Sequence, residues 1–372
     1  MSSPFHTLLR VVRWVLGTVV VLVALFLIVT PIGRYLAQAA WAEGKILAAR
    51  RPIVGMVTDS TVNPAVRDKL QLVLAARAFA VDSVGLRART SFTTYSRVTH
   101  DTLVLVLAGA YRDRLVPYTW WFPIVGRVPY KGYFDFAAAH EAAQALERRG
   151  YDAYLRPSPA FSTLGWFNDP LLSTTLGGDS VSLANTVIHE LTHNTFYASG
   201  QAVFNESFAN FVGARGAEWF FAARGDSGNA AFSAAEWSDQ RTMGRFWDAL
   251  YGALDSAFHA HPSSRPARLA ARDTIYARAQ MLFADSVLPS LKTVHPRAGS
   301  QLRLNNAVLL ARRIYRTRLD LFDAVYADEG FDLRRTVREV IALAKSRPDD
   351  PYGALARWVK SERGERRRAG RQ

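Results

Sequence analysis

Cysteine is absent from the 372 residues. That one absence excludes a disulfide framework, a thiolate nucleophile and a cysteine-based metal site. It fits either side of a bacterial membrane, so it says nothing about compartment. Internal repeats are missing too, and so are helix-turn-helix, RNA-binding and zinc-finger signatures. The last point matters because a net charge of +14 would otherwise invite a nucleic-acid reading. Much of that charge is local. Arg357, Lys360, Arg363, Arg366, Arg367, Arg368 and Arg371, set against Glu362 and Glu365, carry +5 of the +14. The remainder is dispersed, so no nucleic-acid partner is expected. The basic tail, residues 356–372, reads as disordered and suited to touch anionic lipid.

A composition of 49% hydrophobic and 21% charged residues is that of a folded chain, long enough for one large domain or two. Its longest apolar run, Val15 to Ile32, holds 18 residues without a charge. With Val11, Val12 and Trp14 ahead of it, the run can cross a bilayer core of about 30 Å. Arg10, Arg13 and Trp14 flank one end; Arg34 and Tyr35 flank the other. Ala37-Gln38-Ala39 resembles a signal-peptidase site. However, the apolar core exceeds the usual length of roughly 7–15 residues, and Arg34 intrudes before the site. The segment is therefore read as an uncleaved signal anchor. No cysteine follows it, so lipid attachment there is excluded. Counting Arg and Lys on either side does not favour a cytoplasmic N-terminus, whereas the short tail resembles a signal n-region. The resulting expectation is a single-pass protein of the bacterial inner membrane with its large domain periplasmic or otherwise extracytoplasmic. Residues 1–34 form the tail and anchor, 35–355 the large domain and 356–372 the basic tail.

Helices are expected at Gln38–Arg51 and Asn63–Phe79, and strands at Ser91–Thr99 and Thr102–Leu107. Arg127–Phe134 reads as extended. A helix over Phe136–Arg149, closed by Gly150, precedes a strand at Tyr151–Leu155. Helices then run almost to the end. Residues 225–230 read as an exposed loop, and residues 284–301 show no clear period. The layout is α+β, mostly helical with a small sheet beside the site helix.

That helix carries His189-Glu190-Leu191-Thr192-His193, an H-E-x-x-H run. Positions i and i+4 share a helix face, about 5–6 Å apart at Cβ. Two imidazoles so placed reach one metal at about 2.0–2.1 Å each. Glu190 can lean toward the metal's water without ligating, the position of a general base. Val181–Ile188 contains neither glycine nor proline; Ser180 or Asp179 can cap the helix, and Gly200 offers a stop. The pattern points to Zn2+ and hydrolytic chemistry. Catalytic zinc usually keeps three protein ligands. Glu206 is the best third candidate, because Phe204, Phe208, Phe211 and Val212 make a second amphipathic helix that can turn its carboxylate back. Glu218, Asp226 and Asp239 are the alternatives, and a capping role for Glu206 is the bland reading.

Several segments together resemble the bacterial putative aminopeptidase family, a group of membrane-associated zinc metallopeptidases. They include Tyr35–Ala40, Arg77–Ala80, Val128–Phe134, Gly150-Tyr151-Asp152, Phe161–Leu172, His189–His193, Phe204–Ala209 and Asn305-Asn306-Ala307. The resemblance implies a zincin-like fold with His189, His193 and Glu206 as ligands and Glu190 as base. It also implies peptide or protein substrates and a membrane or lipoprotein N-terminus. This chain departs from relatives in having an apolar span instead of a lipobox cysteine, and Lys131 where arginine is usual; lysine keeps the charge but lacks the planar fork. An oxyanion donor besides zinc is needed, for which Tyr130, Tyr133, Tyr197 and Tyr315 are candidates. Asn205 or Asp169 can orient a ligand imidazole, and Asp152 or Asp169 can receive a substrate α-amine. No metal spacing links His6, His100, His140, His259, His261 and His295. Beside the active peptidase, exo- or endo-acting, stand a catalytically idle zinc scaffold and a basic binding module with a chance motif.

Overall fold

The computed structural model describes residues 4–98, 104–123, 126–158, 170–294 and 303–369. It is mostly helical, 68%, with small sheets. Helix α1 spans Pro4–Val29 and α2 spans Pro31–Ala48. The break between them is chemical. Pro31 has no N–H for the α1 ladder. Thr30 caps α2, its Oγ1 accepting from the Gly33 amide at 2.9 Å while donating to the Phe26 carbonyl at 2.8 Å. Any Cβ at Gly33 would overlap that carbonyl. Helix α2 thus begins ahead of the expected Gln38. Within α1, Val11–Val29 is 19 residues long, apolar and wholly unburied, which is long enough to cross a membrane.

Next come β1 (Arg51–Pro52), α3 (Ile53–Thr58) and α4 (Pro64–Phe79), the last ending in a π turn over Ala80–Val84. Strand β2 covers only Thr94–Ser96, less than the predicted strand. Then follow β3 (Val104–Tyr111), β4 (Pro117–Tyr118), β5 (Trp120–Phe122), β6 (Gly126–Val128), β7 (Tyr130–Tyr133), α5 (Phe136–Arg148) and β8 (Tyr151–Ser158). The principal sheet has β3 at its centre, with β8 antiparallel on one side and β4 and β7 antiparallel on the other. Val106 lies opposite both Gly132 and Arg156, and Ala108 opposite both Tyr130 and Tyr154. Alternation therefore sends Tyr130, Tyr154 and Arg156 to one face. Helix α5 covers the other: a Cβ on Gly109 would meet Leu146 at 3.1 Å. A small sheet joins β1, β2 and β9 (Leu171–Leu172), and β5 pairs with β6 as a hairpin.

The helical part contains α6 (Ser173–Leu176), α7 (Ser180–Thr195), α8 (Ala202–Ala223), α9 (Ser227–Ala260) and α10 (Arg265–Leu282), with a π turn at Phe283–Val287. It ends with α11 (Leu288–Ser290), α12 (Asn306–Arg313), α13 (Leu319–Asp328), α14 (Leu333–Ser346) and α15 (Pro351–Ala369). One expectation is met only in part. Of residues 225–230, Gly225 and Asp226 lie outside helix: Asp226 caps α9, accepting from the Asn229 amide at 3.1 Å, and the helix starts at Ser227. In the basic tail α15 continues to Ala369. Arg, Lys, Glu and Ala are strong helix formers, and net charge alone does not override that propensity. Val359 on α15 is buried in the main core, so packing reaches beyond residue 355.

That core gathers apolar faces of α4, α7, α8, α13, α14 and α15 around Phe204, Phe208, Phe211 and Phe322. A second cluster centres on Trp247 and Leu309 between α9, α10 and α12. Polar links tie the sheet to the helices. Arg272 Nη2 meets Asp152 Oδ2 at 2.6 Å, the Asn306 amide donates to the same carboxylate at 2.9 Å, and Tyr276 donates to Asn306 Oδ1 at 2.6 Å.

Candidate active site

Helix α7 forms because Asp179 caps it, accepting from the Ser182 amide at 2.8 Å, and because no glycine or proline interrupts it. Val181, Ala184, Val187, Ile188 and Leu191 bury one side. His189 and His193 emerge on another, a turn apart. The helix stops at Thr195, ahead of Gly200, because Arg87 grips its last residue: the Arg87 amide donates to Thr195 Oγ1 at 2.8 Å and its guanidinium to the Thr195 carbonyl. Gly200, at φ +74°, instead turns the chain into α8.

Helix α8 folds back along α7, and glycine makes the approach close. A Cβ at Gly213 would press on Asn185 and come within 3.2 Å of the His189 Cβ; one at Gly216 would meet Ile188 Cγ2 at 2.8 Å. This packing carries Glu206 onto the histidines. Its Oε2 lies 3.4 Å from His189 Nε2 and 3.5 Å from His193 Nε2, and the two nitrogens are 3.2 Å apart. The ligand atoms all fall within 4.8 Å of one another, a group able to hold a metal ion. Three donors bonded at about 2.0–2.1 Å around a tetrahedral centre would be separated by about 3.3 Å. The observed triangle has those edges, so the residues fit zinc.

The electrostatics agree with the geometry. Burial pushes the Glu206 carboxyl up, but hydrogen bonds from His189 and His193 outweigh it and hold the group down at about 2. For His193, burial pulls the imidazolium down while the Glu206 and Glu190 carboxylates prevail and raise it. Glu190 is exposed on the same helix. The "Putative aminopeptidase" family model matches residues 34–352. The chain belongs to this family. No curated protein and no solved structure shows significant similarity to it.

Within this aminopeptidase-family chain the rival third ligands are occupied elsewhere. Glu218 pairs with Arg215 at 2.9 Å. Asp226 caps α9, and Asp239 accepts the Lys292 and Thr293 amides at 2.9 and 2.7 Å. Asn205 does not orient an imidazole. It clamps the α7–α8 loop, accepting from the Ala198 amide at 2.9 Å and donating to the Ala198 carbonyl at 2.8 Å. Asp152 is no receptor for an α-amine: Arg272, Arg112 and the Asn306 amide already hold it. Asp169, His100, His295 and the Phe161–Asp169 part of the family-like block lie outside the described residues.

The tyrosines divide. Tyr315 packs its ring 6.3 Å from that of His189, held because Asn210 donates to its carbonyl at 2.9 Å. Ser207 secures the same turn, donating to the Ile314 carbonyl at 3.0 Å. Burial, then the Glu206 carboxylate, pushes the Tyr315 hydroxyl up to about 12. Tyr130 reaches the site from the sheet; burial and Glu206 raise its hydroxyl too. Tyr197 follows α7, its exposed ring 6.5 Å from that of His193. Tyr133 points to the opposite face of β7 and packs on Tyr35 instead.

Sequence reading missed Arg156. It shares the sheet face of Tyr130 and adds positive charge felt by both Tyr130 and Tyr315. Strand alternation from Asp152 through Tyr154 to Arg156 was the available signal.

Proposed function

We propose that this protein is a membrane-anchored zinc peptidase with a zincin-like arrangement: an H-E-x-x-H helix, a second helix supplying Glu206, and a sheet over the cleft. The observation that carries the reading is the His189–His193–Glu206 triangle, with edges of 3.2, 3.4 and 3.5 Å, next to an exposed Glu190. The family description supports peptide substrates cut from the amino end. The apolar Val11–Val29 helix supports a single-pass anchor; that the membrane is the bacterial inner membrane and the site extracytoplasmic is part of the proposal.

His189, His193 and Glu206 would hold the ion. Zinc in such a site supplies Lewis acidity, drawing the pKa of its water toward about 7. Glu190 takes a proton from the attacking water and delivers it to the leaving amine. Tyr315, kept protonated by burial and by the neighbouring carboxylates, donates its hydroxyl to the oxyanion. Tyr130 faces it from the sheet as a second donor. Arg156 behind them favours the negative charge that develops on the substrate carbonyl.

The test is metal analysis and peptide cleavage on the full-length chain in detergent. About one zinc per chain is expected, weakened in His193→Ala and Glu206→Ala. Glu190→Gln should keep the metal and lose cleavage. Zinc retained without any cleavage by the wild type would leave the idle scaffold; no zinc after resupply would overturn the metallopeptidase reading.

A further inference from the structure

The hairpin of β5 and β6 stands apart from the other sheets. Its strands pair Trp120 with Val128, Trp121 with Arg127 and Phe122 with Gly126, and neither strand pairs elsewhere among the described residues. Two strands alone are marginally stable in water. This pair also shows solvent a Trp121 that is 55% exposed. The strand residues Trp120, Trp121 and Phe122 carry no charge, and Trp121 is the one most open to solvent. An exposed tryptophan on a pair of strands that needs further packing marks a contact.

Its position names the contact. The Phe122 ring lies 5.6 Å from that of Tyr35, and Tyr35 lies 6.5 Å from Tyr133. Lys131 Nζ sits 4.6 Å from the Tyr35 ring and 4.9 Å from the Tyr133 ring. The hairpin is thereby fastened to the first turns of α2, just beyond the end of the apolar helix at Val29. Six mostly helical residues carry the chain at most about 9 Å past Val29, so Tyr35 would stand near the polar layer that borders a hydrocarbon core about 30 Å thick. Tryptophan and tyrosine collect at that depth because their rings are apolar while one edge is polar. Trp41, 71% exposed, lies one to two turns further along α2, and Trp14, 78% exposed, lies in the N-terminal part of α1. Arg127, exposed opposite Trp121, offers a cation that lipid phosphates would attract.

We propose that the pair of strands β5 and β6 is a second membrane contact, with Trp121 inserted into the interface of the phospholipid bilayer that α1 crosses. A protein partner would have to cover the hairpin beside the membrane; the bilayer is already there. The inference rests on the anchored reading of α1. Its consequence is a site held at fixed height and tilt, because the chain passes from the hairpin directly into β7, whose Tyr130 faces Glu206.

The cysteine-free chain makes the test clean. Trp121→Cys, Arg127→Cys, Val21→Cys and Ser256→Cys would each carry one nitroxide, in full-length protein reconstituted into phosphatidylethanolamine–phosphatidylglycerol vesicles. Collision with oxygen and with a water-soluble nickel chelate is then read by electron paramagnetic resonance. Expected are a label at 121 that collides readily with oxygen and is several-fold less accessible to nickel than that at 256, and a label at 127 between the two. Arg127 is an exposed position, so its label reports even if loss of Trp121 disturbs the hairpin. Labels at 121 and 127 as open to nickel as that at 256, with the label at 21 in lipid, would overturn the hairpin contact and leave the anchor standing. Labels at 121 and 127 shielded from both probes would mean that protein covers the hairpin, which also overturns it. A label at 21 in water would remove the anchor and the proposal together.

Discussion

Replacing Gly213 by alanine tests whether close helix packing sets the candidate metal site. The new Cβ would lie 3.0 Å from the Asn185 carbonyl oxygen and 3.2 Å from the His189 Cβ, besides pressing on the Asn185 side chain. Rotation can move the amide, but not a carbonyl within α7. Restoring ordinary contact requires α8 to retreat by about 0.4 Å, whereas metal-ligand distances tolerate about 0.2 Å. Glu206 rides on α8, so zinc affinity should fall about 10–100-fold, the range for residues that position ligands. Stability is a contest. Alanine gains about 1 kcal/mol over glycine within a helix, while overpacking costs about 1–3 kcal/mol. The metal-free protein should therefore lose up to about 2 kcal/mol. Gly252→Ala is the control: nothing lies within 4 Å of its Cβ on α9, and it should gain about 1 kcal/mol. Urea unfolding of the metal-free proteins and zinc titration against a competing chelator measure both quantities. If Gly213→Ala stabilises like Gly252→Ala and binds zinc as wild type does, the close-packing argument is wrong.

Tyr315→Phe removes the hydroxyl but keeps the ring against His189; kcat should drop about 100-fold with zinc content unchanged, read by steady-state kinetics beside metal analysis. Asn205→Ala strips both partners from the buried Ala198 amide and carbonyl, and should cost about 2–3 kcal/mol in urea unfolding. Tyr276 bears on alkaline stability. Burial raises its hydroxyl far above the ordinary value near 10, with the Asp152 carboxylate adding and Arg272 opposing. A raised folded value means that its contribution is complete below about pH 10 and is lost as pH climbs, at up to about 1.4 kcal/mol per unit. Tyr276→Phe should therefore lose less stability than wild type between about pH 10 and 11, and parallel losses would refute the assignment.

Local signals made the centre of the candidate site legible. Four-residue spacing on an uninterrupted helix puts His189 and His193 side by side without any knowledge of the fold, because the helix itself fixes their relative positions. Glu206 was readable less directly, through the aromatic stripe of Phe204, Phe208 and Phe211 that makes its segment a packed helix. The roles of Asn205 and Asp152 were misread, since a polar side chain's partners depend on which backbone groups the fold leaves unsatisfied beside it. Asn205 found the Ala198 amide and carbonyl, and Asp152 found Arg272 across 120 residues. Around the start of the charged tail composition hides packing: on α15, Leu355 just before the tail and Val359 within it are buried.

By itself, the amino-acid order determined the apolar anchor-length helix, the helix that presents both histidines and the aromatic-rich helix after it, all of which are legible within one or a few turns. Only the tertiary structure decided that Gly213 and Gly216 let α8 close on α7, that Tyr315 reaches His189 from a turn pinned by Ser207 and Asn210, and that Arg156 faces them from the sheet. Those placements join residues that lie far outside one another's local segments. They follow from how buried surfaces fit and which polar groups must be paired, a balance struck by the whole fold and not by any one segment.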